Sequence, residues 1–495
     1  MTEGGDARIA LDASGINAYG CRPQPDPELV ALGSSTASVV SGPGFEAALA
    51  LHARLLREPQ RHPFEVERLR QRIAALSGAL HVEGTELVLA ASGTDILLIA
   101  RQLAEGPAAE PVIAVMSEAA ETGSGVPAAL AGLHFAADTC SGHTVGKGTT
   151  AIAGTSHAAA CVSLRREDGS LRPIDEVDAE FTNLVDEVVR GGGRCLLVLT
   201  DVSKTGLVAP SPACARRLSQ RYPHVLEVLV DACQFRLSPS SVAAYLQDGF
   251  MVALTGSKFV TGPTFCGALL LPPGVGQRVR RIPLRALRPY STRMHWPANW
   301  SAANELPESV NTGLLLRWEA ALAELTAFAA LPPQFSETFL ARWGGAIASR
   351  IADDPGLQAL PVAGLQAYRS SRGWDCLQSI FPFLVIDRRL RESGGHVSRD
   401  ATILLHRQLQ GLGGHASRGR SLRESGQPLR FQLGQPVACG NRDGILVSAL
   451  RVCASARGIV EASRSPDGIE RAIDSSMRAF DRLAVLSREL LCSDN

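Results

Sequence analysis

Seven short apolar runs, most of them closed by Gly, Pro, Ser or Thr, constrain this chain more than anything else in it. They are ELVLAAS (86–92), PVIAVMS (111–117), TAIAG (150–154), CLLVLTDVS (195–203), VLEVLVDAC (225–233), MVALTGS (251–257) and GALLLP (267–272). None alternates apolar with polar, so each predicts a strand covered on both faces. Helix-compatible stretches separate most of them. Continuous strands alternating with helices make a mostly parallel sheet sandwiched between helical layers. The last two runs stand too close for a crossover helix, so GALLLP is expected to return antiparallel. The expectation is an α/β layer of about seven strands between residues 85 and 272.

The whole chain of 495 residues is more than one core needs, which predicts further domains. Residues 1–44, rich in Gly, Pro and Ser, read as an N-terminal arm. Residues 45–290 form the large domain and open on helical spacing: in PFEVERLRQRIAAL, Val66, Leu69, Ile73 and Leu76 share one face. SVNTGLLLRWEAALAELTAF places a long interdomain helix in residues 291–335. Residues 336–495 read as a smaller C-terminal α+β domain with strands IFPFLVID and GILVSALRV. Its last helix carries Ile469, Ile473, Met477, Phe480, Leu483 and Leu486 on one side. The Arg-, Ser- and Gly-rich stretch 386–430 reads as loops or an insertion.

A formal net charge of zero gives no footing for nucleic acid or an anionic membrane as partner. No apolar run approaches the length of a bilayer span, and MTEGGDARIALDASG is no secretory signal, so the cytoplasm is expected. The 11 cysteines are scattered without a C-x-x-C pair, which fits free thiols and neither a disulfide framework nor a metal site.

Lysine is scarce. Only Lys147, Lys204 and Lys258 occur, leaving 46 of the 49 basic residues as arginine (49 − 3). Lys258 is also the one charged residue in MVALTGSKFVTGPTFCGALLLP. Burial disfavours a charged amine, and a neutral amine attacks carbonyls, which a guanidinium cannot do. One run earlier, Asp231 ends VLVD; if the two strands are parallel neighbours, both side chains reach one rim of the sheet, where such folds bind ligands. Asp231 alone would read equally as a structural acceptor. Upstream, Ser92-Gly93-Thr94-Asp95 joins a strand to a helix, either as an N-cap or as a phosphate cradle. An amine for an aldehyde, an acid for a ring nitrogen and a cradle for a phosphate together describe pyridoxal 5′-phosphate.

With these segments the chain resembles the fold type I pyridoxal-phosphate enzymes. It is most similar to the class V aminotransferase group, which includes cysteine desulfurases and isopenicillin N epimerase-like proteins. SGTD resembles the group's phosphate turn, DACQ its Asp-x-x-Gln, and KFVTGPTFCGALLLP its Lys-Phe, Gly-Pro and Gly-x-Leu series. The resemblance implies that Lys258 holds the cofactor and moves the α-proton, Asp231 pairs with the pyridinium and Gln234 bonds the phenolic oxygen. It implies Ser92, Gly93, Thr94, Thr255 and Ser257 around the phosphate. DVSKTG resembles a Ser-Asn-x-x-Gly segment, placing Ser203 beside the ring, with Lys204 as the one rival to Lys258. In LRVCAS, Arg451 falls where the group clamps a substrate carboxylate, with Arg430 of LRFQLGQPV as a second candidate. The group's ring-stacking histidine falls on Ala119, which leaves the stack to the segment from Glu121 to Gly125 or to nothing.

The activity implied is amino transfer on an amino acid or related amine. Carbon–sulfur cleavage or desulfuration, for which Cys439 and Cys376 are candidate thiols, and epimerisation are the alternatives. A non-catalytic relative is a third reading, disfavoured by Lys258 and Asp231 together. A homodimer is expected by analogy, with Asn311 or Thr312 reaching the partner's phosphate.

Overall fold

Apolar runs without polar alternation should lose all contact with water, and they do: Val88 to Ala90, Leu196 to Leu199 and Met251 to Leu254 are 0% exposed. The structure, a computed structural model, describes the chain except residues 106–109, 154–158, 370–371, 388, 390–394, 413–428 and 493–495. The large sheet comprises β2 (Glu86–Ala90), β3 (Val112–Ser117), β4 (Ala159–Val162), β5 (Arg194–Asp201), β6 (Val208–Ala209), β7 (Leu226–Ala232), β8 (Met251–Thr255) and β9 (Gly267–Leu271). Its order is β2-β9-β8-β7-β5-β3-β4, with β6 on the side of β5. β4, β3, β5, β7 and β8 run parallel to one another. β9 runs antiparallel to both β8 and β2; the nine residues between its run and that of β8 (258–266) are too few for a crossover helix.

One predicted strand is misplaced. TAIAG is not in the sheet: Thr150 makes an isolated bridge to Leu133 and Ile152 tucks into the core from a loop, while Gly154 lies outside the described residues. The edge strand is instead AACV, β4, of which only Val162 is buried. Its four residues are apolar, but the run is short and rich in alanine, a weak strand signal.

A second sheet has the order β1-β12-β13-β11-β10, formed by β1 (Leu29–Leu32), β10 (Leu357–Ala359), β11 (Ile380–Val385), β12 (Arg430–Arg442) and β13 (Ile445–Cys453). The arm is therefore not merely extended: its β1 pairs parallel with β12, Leu29 opposite Arg430. β12 shifts register twice against β13, around Gly434–Val437 and Ala438–Asn441. These bulges accommodate Gly434, Pro436 and Gly440 within a strand. In the stretch 386–430, the helix Arg399–Leu409 packs on this sheet.

The helix Thr312–Ala329 spans the back of the large sheet, buried nearly all round. Its Ala321 sets the loop after β8. A β-carbon on Gly262 would lie 2.4 Å from the Ala321 β-carbon, and one on Gly256 would lie 2.7 Å away. Glycine at both places lets the loop bearing Lys258 lie flat on the helix.

Candidate active site

Asp231 sits one residue before the end of β7, opposite Thr200 of β5 and Ala253 of β8. Lys258 follows the end of β8 by three residues. Parallel neighbours end on the same rim, so the two side chains meet one cavity of about 200 Å³. They form no ion pair across it; the Asp231 carboxylate accepts the Cys233 N–H, at 3.2 Å, and meets no cation within ion-pair distance among the described residues. Lys258 is half-buried. Burial pushes its amine below the ordinary lysine value, Arg451 and Arg236 push it further, and Cys233 and Asp231 oppose them.

Ser92, Gly93, Thr94, Ser203, Gln234, Thr255, Ser257 and Arg451 line the same cavity. The expected residues thus converge from four strand ends and from β13. Arg430 does not. Its guanidinium pairs with Asp26 at 2.6 and 2.8 Å at the outer edge of the second sheet, where it ties β12 to the N-terminal segment. It is removed from the substrate-binding candidates.

The hydroxyls differ in what they have left to offer. Ser92 caps the helix Gly93–Leu103: its Oγ accepts the Asp95 N–H and donates to the Asp95 carboxylate. Ser203 Oγ donates to Glu121 at 2.6 Å and accepts N–H groups of Thr205 and Leu207, so it is fully used. Thr255 Oγ1 donates to the Cys233 carbonyl at 2.6 Å. Thr94 and Ser257 have no protein partner for their hydroxyls among the described residues. Beside them the Gly93 helix presents its first N–H groups. A β-carbon at Gly93 would lie 3.0 Å from Cys233 Sγ and 3.3 Å from Thr255 Cγ2, so glycine keeps this corner open. The corner suits an anion such as a phosphate.

Gln234 donates from Nε2 to the Ser35 carbonyl at 2.9 Å, while its Oε1 is buried and unpaired. A buried acceptor without a donor is costly unless a ligand supplies one. The cavity thus asks for three groups: an anion at Gly93–Thr94, a hydrogen-bond donor at Gln234 and a cationic nitrogen facing Asp231.

Arg451 enters from β13, 1% exposed and without an acid. Its Nη1 donates to the Lys204 carbonyl at 3.1 Å, and its Nη2 to Thr36 Oγ1 at 3.0 Å and to the Gln435 carbonyl. The charge is fixed in place by neutral acceptors.

Several lining residues lay outside the sequence reading. Arg8, Tyr19, Ser35 and Thr36 come from the N-terminal segment, and Cys233 lies beneath Gly93. Tyr19 and Phe265 supply aromatic rings, edge to face at 6.3 Å. Ala119 is exposed and outside the cavity, whereas Glu121, Thr122, Gly123 and Ser124 line it. Four non-glycine residues with positive φ flank the site: Val202 before Ser203, Phe235 after Gln234, and Thr261 and Phe265 in the lysine loop. Such strain gathers where a fold holds groups in imposed positions.

Neither candidate thiol faces the cavity. Cys439 lies within β12, not on a loop; its Sγ donates to the Val437 carbonyl and burial pushes its pKa up to about 11. Cys376 ends a short 3-10 turn at Trp374–Cys376. Asn311 caps the Thr312 helix and donates to the Gly4 carbonyl of its own chain at 2.9 Å.

No family model matches the chain, and no curated protein matches it in sequence. Solved structures match in fold. A glutamate decarboxylase domain of the diaminobutyrate–pyruvate transaminase and L-2,4-diaminobutyrate decarboxylase of Vibrio parahaemolyticus superposes with a TM-score of 0.54 at 13% identity, over 94% of this chain and 81% of that one. A NifS-like protein of Rickettsia africae gives 0.52 at 9% identity, over 92% and 99%. A serine palmitoyltransferase variant of S. paucimobilis, carrying a PLP–myriocin aldimine, gives 0.50 at 12% identity, over 92% and 88%.

Proposed function

We propose, from the premise that this chain has the fold type I architecture of the pyridoxal-phosphate enzymes, that it is itself such an enzyme acting on an amino acid or related amine. The observation that carries this reading is Asp231 facing Lys258 across a cavity whose third corner is a helix N-terminus. The three demands of the cavity are those of pyridoxal phosphate: Gly93, Thr94 and Ser257 for its phosphate, Gln234 Oε1 for its phenolic group and Asp231 for its ring nitrogen. When bound, the cofactor supplies an aldehyde for an amine and an electron sink for charge at the adjacent carbon. Lys258 would attach it and then hold or return the proton at the substrate α-carbon, which a depressed amine pKa favours. Asp231 would keep the ring nitrogen protonated. Arg451 would receive the substrate carboxylate through the remaining Nη1 hydrogen.

Amino transfer is the finer reading. It needs only Lys258, Asp231 and a carboxylate site, and all three groups share the cavity. Carbon–sulfur cleavage and epimerisation are outcomes the test separates. The purified protein is loaded with pyridoxal phosphate and given a panel of amino acids, and keto acid, sulfide and inverted amino acid are scored. Keto acid formed with stoichiometric conversion of the cofactor to its amine supports transfer; sulfide or inversion without keto acid overturns it.

A homodimer accompanies this reading. Leu49, Leu56, Phe64 and Leu80 are 49%, 68%, 59% and 66% exposed around the helices Gly42–Arg57 and His62–Ser77, an apolar surface a second copy would cover. No helix among the described residues is long and apolar enough to cross a membrane.

A further inference from the structure

Lys204 is the residue of this cavity that the proposed chemistry leaves unused. Its position is fixed from three directions. Its N–H donates to the Glu121 carbonyl at 2.9 Å, its carbonyl accepts Arg451 Nη1, and Val202 two residues earlier holds φ at 59°. It is half-buried and lines the cavity, yet its amine has no hydrogen-bond or ion-pair partner among the described residues.

The charges around the cavity do not balance. Arg8 is paired with Asp6. Glu121 is taken by Ser203, Thr205 and the Arg165 guanidinium, the last at 3.5 Å. That leaves Lys258, Lys204 and Arg451 as cations without an acid, against Asp231 as the one lining carboxylate without a cation. On the reading above, Lys258 and Asp231 are both taken up by the cofactor. Its phosphate would be held by Gly93, Thr94 and Ser257. Two cations then remain side by side on the substrate's side, Arg451 and Lys204. Their repulsion is visible: burial first, then Arg451 and Lys258, lower the Lys204 pKa to about 8, while Glu121 opposes them. A single α-carboxylate neutralises one of the two and leaves the other buried and bare, which is costly.

We propose that the substrate carries a second carboxylate beyond its α-carboxylate, received by Lys204 beside Arg451, so that the site selects a dicarboxylic amino acid or its keto acid. The inference rests on the cofactor reading only for which cations remain free. Recognition by a compact, mobile ammonium suits an end group whose reach varies, whereas the fixed Arg451 fork suits the invariant end.

The test is calorimetric titration of the full-length, cofactor-loaded protein with glutarate and with its monoamide, which differ in one negative charge and little in shape. The wild type binds glutarate at least about tenfold more tightly. Lys204→Met brings the ratio of the two affinities to about one, and Lys204→Arg keeps part of the preference. Equal binding by the wild type, or a ratio that Lys204→Met leaves unchanged, overturns the proposal. The visible absorbance of the bound cofactor is recorded on the same samples. Wild-type protein that holds the cofactor yet does not prefer glutarate fails this inference alone. Protein that prefers glutarate but never holds the cofactor fails the functional reading instead, and the two failures stay distinct.

Discussion

Asp231 and Lys258 face one another across a cavity without forming an ion pair, although they leave adjacent parallel strands at the same rim. Two opposite charges kept apart in a buried place are held there by the sheet register and by Gly256 and Gly262, which pin the lysine loop to the helix behind it. The gap is the width of something else.

Removing the Asp231 charge without changing its shape tests what fills the gap. Asp231→Asn should fold normally, since among the described residues the carboxylate takes part in no ion pair and accepts the Cys233 N–H, a role an amide oxygen can fill. Loss of a charge-assisted hydrogen bond to a ring nitrogen weakens pyridoxal-phosphate binding about 10- to 100-fold. Equilibrium titration of the stripped protein reads this directly, and an unchanged affinity would remove Asp231 from the cofactor.

The lysine loop makes a mechanical prediction. Gly262→Ala drives a methyl group into Ala321 and costs about 1–3 kcal/mol by overpacking. Ala321→Gly in the same chain recovers part of that loss, less about 1 kcal/mol for glycine in a helix. Urea midpoints of the single and double variants show whether the two positions are coupled.

How much of this was legible follows from the same physics. The core strands were readable because burial on both faces leaves an uninterrupted apolar run. β1, β4 and β12 were not. β4 is a short, alanine-rich edge with one buried residue, and β1 is four residues whose partner begins 401 positions later (Leu29 to Arg430). β12 hides Gly and Pro inside two bulges. Lys258, Asp231 and Gln234 could be placed on one rim from the sequence because each ends or follows such a strand. Arg430 misled because a strand-borne arginine looks the same whether it meets a substrate or, as here, Asp26. The lining residues of the N-terminal segment carry no local signal; long-range contacts bring that segment to the site, among them the pairing of β1 with β12 and the bonds of Gln234 to the Ser35 carbonyl and of Arg451 to Thr36.

A buried ion pair stands beside the cavity-lining Thr200 and Val202. Arg369 grips Asp201, at the end of β5, with bonds of 2.7 and 2.8 Å, and Tyr245 donates to the same carboxylate at 2.6 Å. Asp201→Ala removes the nearer of the two acids of Arg369, leaving Asp375 at 3.8 Å, and should cost about 3–5 kcal/mol, whereas Asp201→Leu with Arg369→Met should cost less. Denaturation of the three proteins separates the two outcomes; equal losses would contradict the account of this pair.

Lys204 makes a prediction in pH. Its folded pKa of about 8 lies below the ordinary lysine value of 10.5. Between those values the unfolded chain binds more protons at this site, so the lysine's unfavourable contribution to stability is full below about pH 8 and relieved as pH rises toward 10.5. Lys204→Met should therefore be more stable than the wild type at pH 7, with the difference shrinking across that window. A difference independent of pH would mean the amine is not held at a cost.

The account stands on the Lys258 amine as the point of covalent attachment. Pyridoxal-phosphate-loaded protein is reduced with borohydride and digested, and the modified peptide is sequenced by mass spectrometry. The account predicts the label on Lys258 in the wild type and none in Lys258→Ala; a label on Lys204 or Lys147, or one that survives in Lys258→Ala, contradicts it.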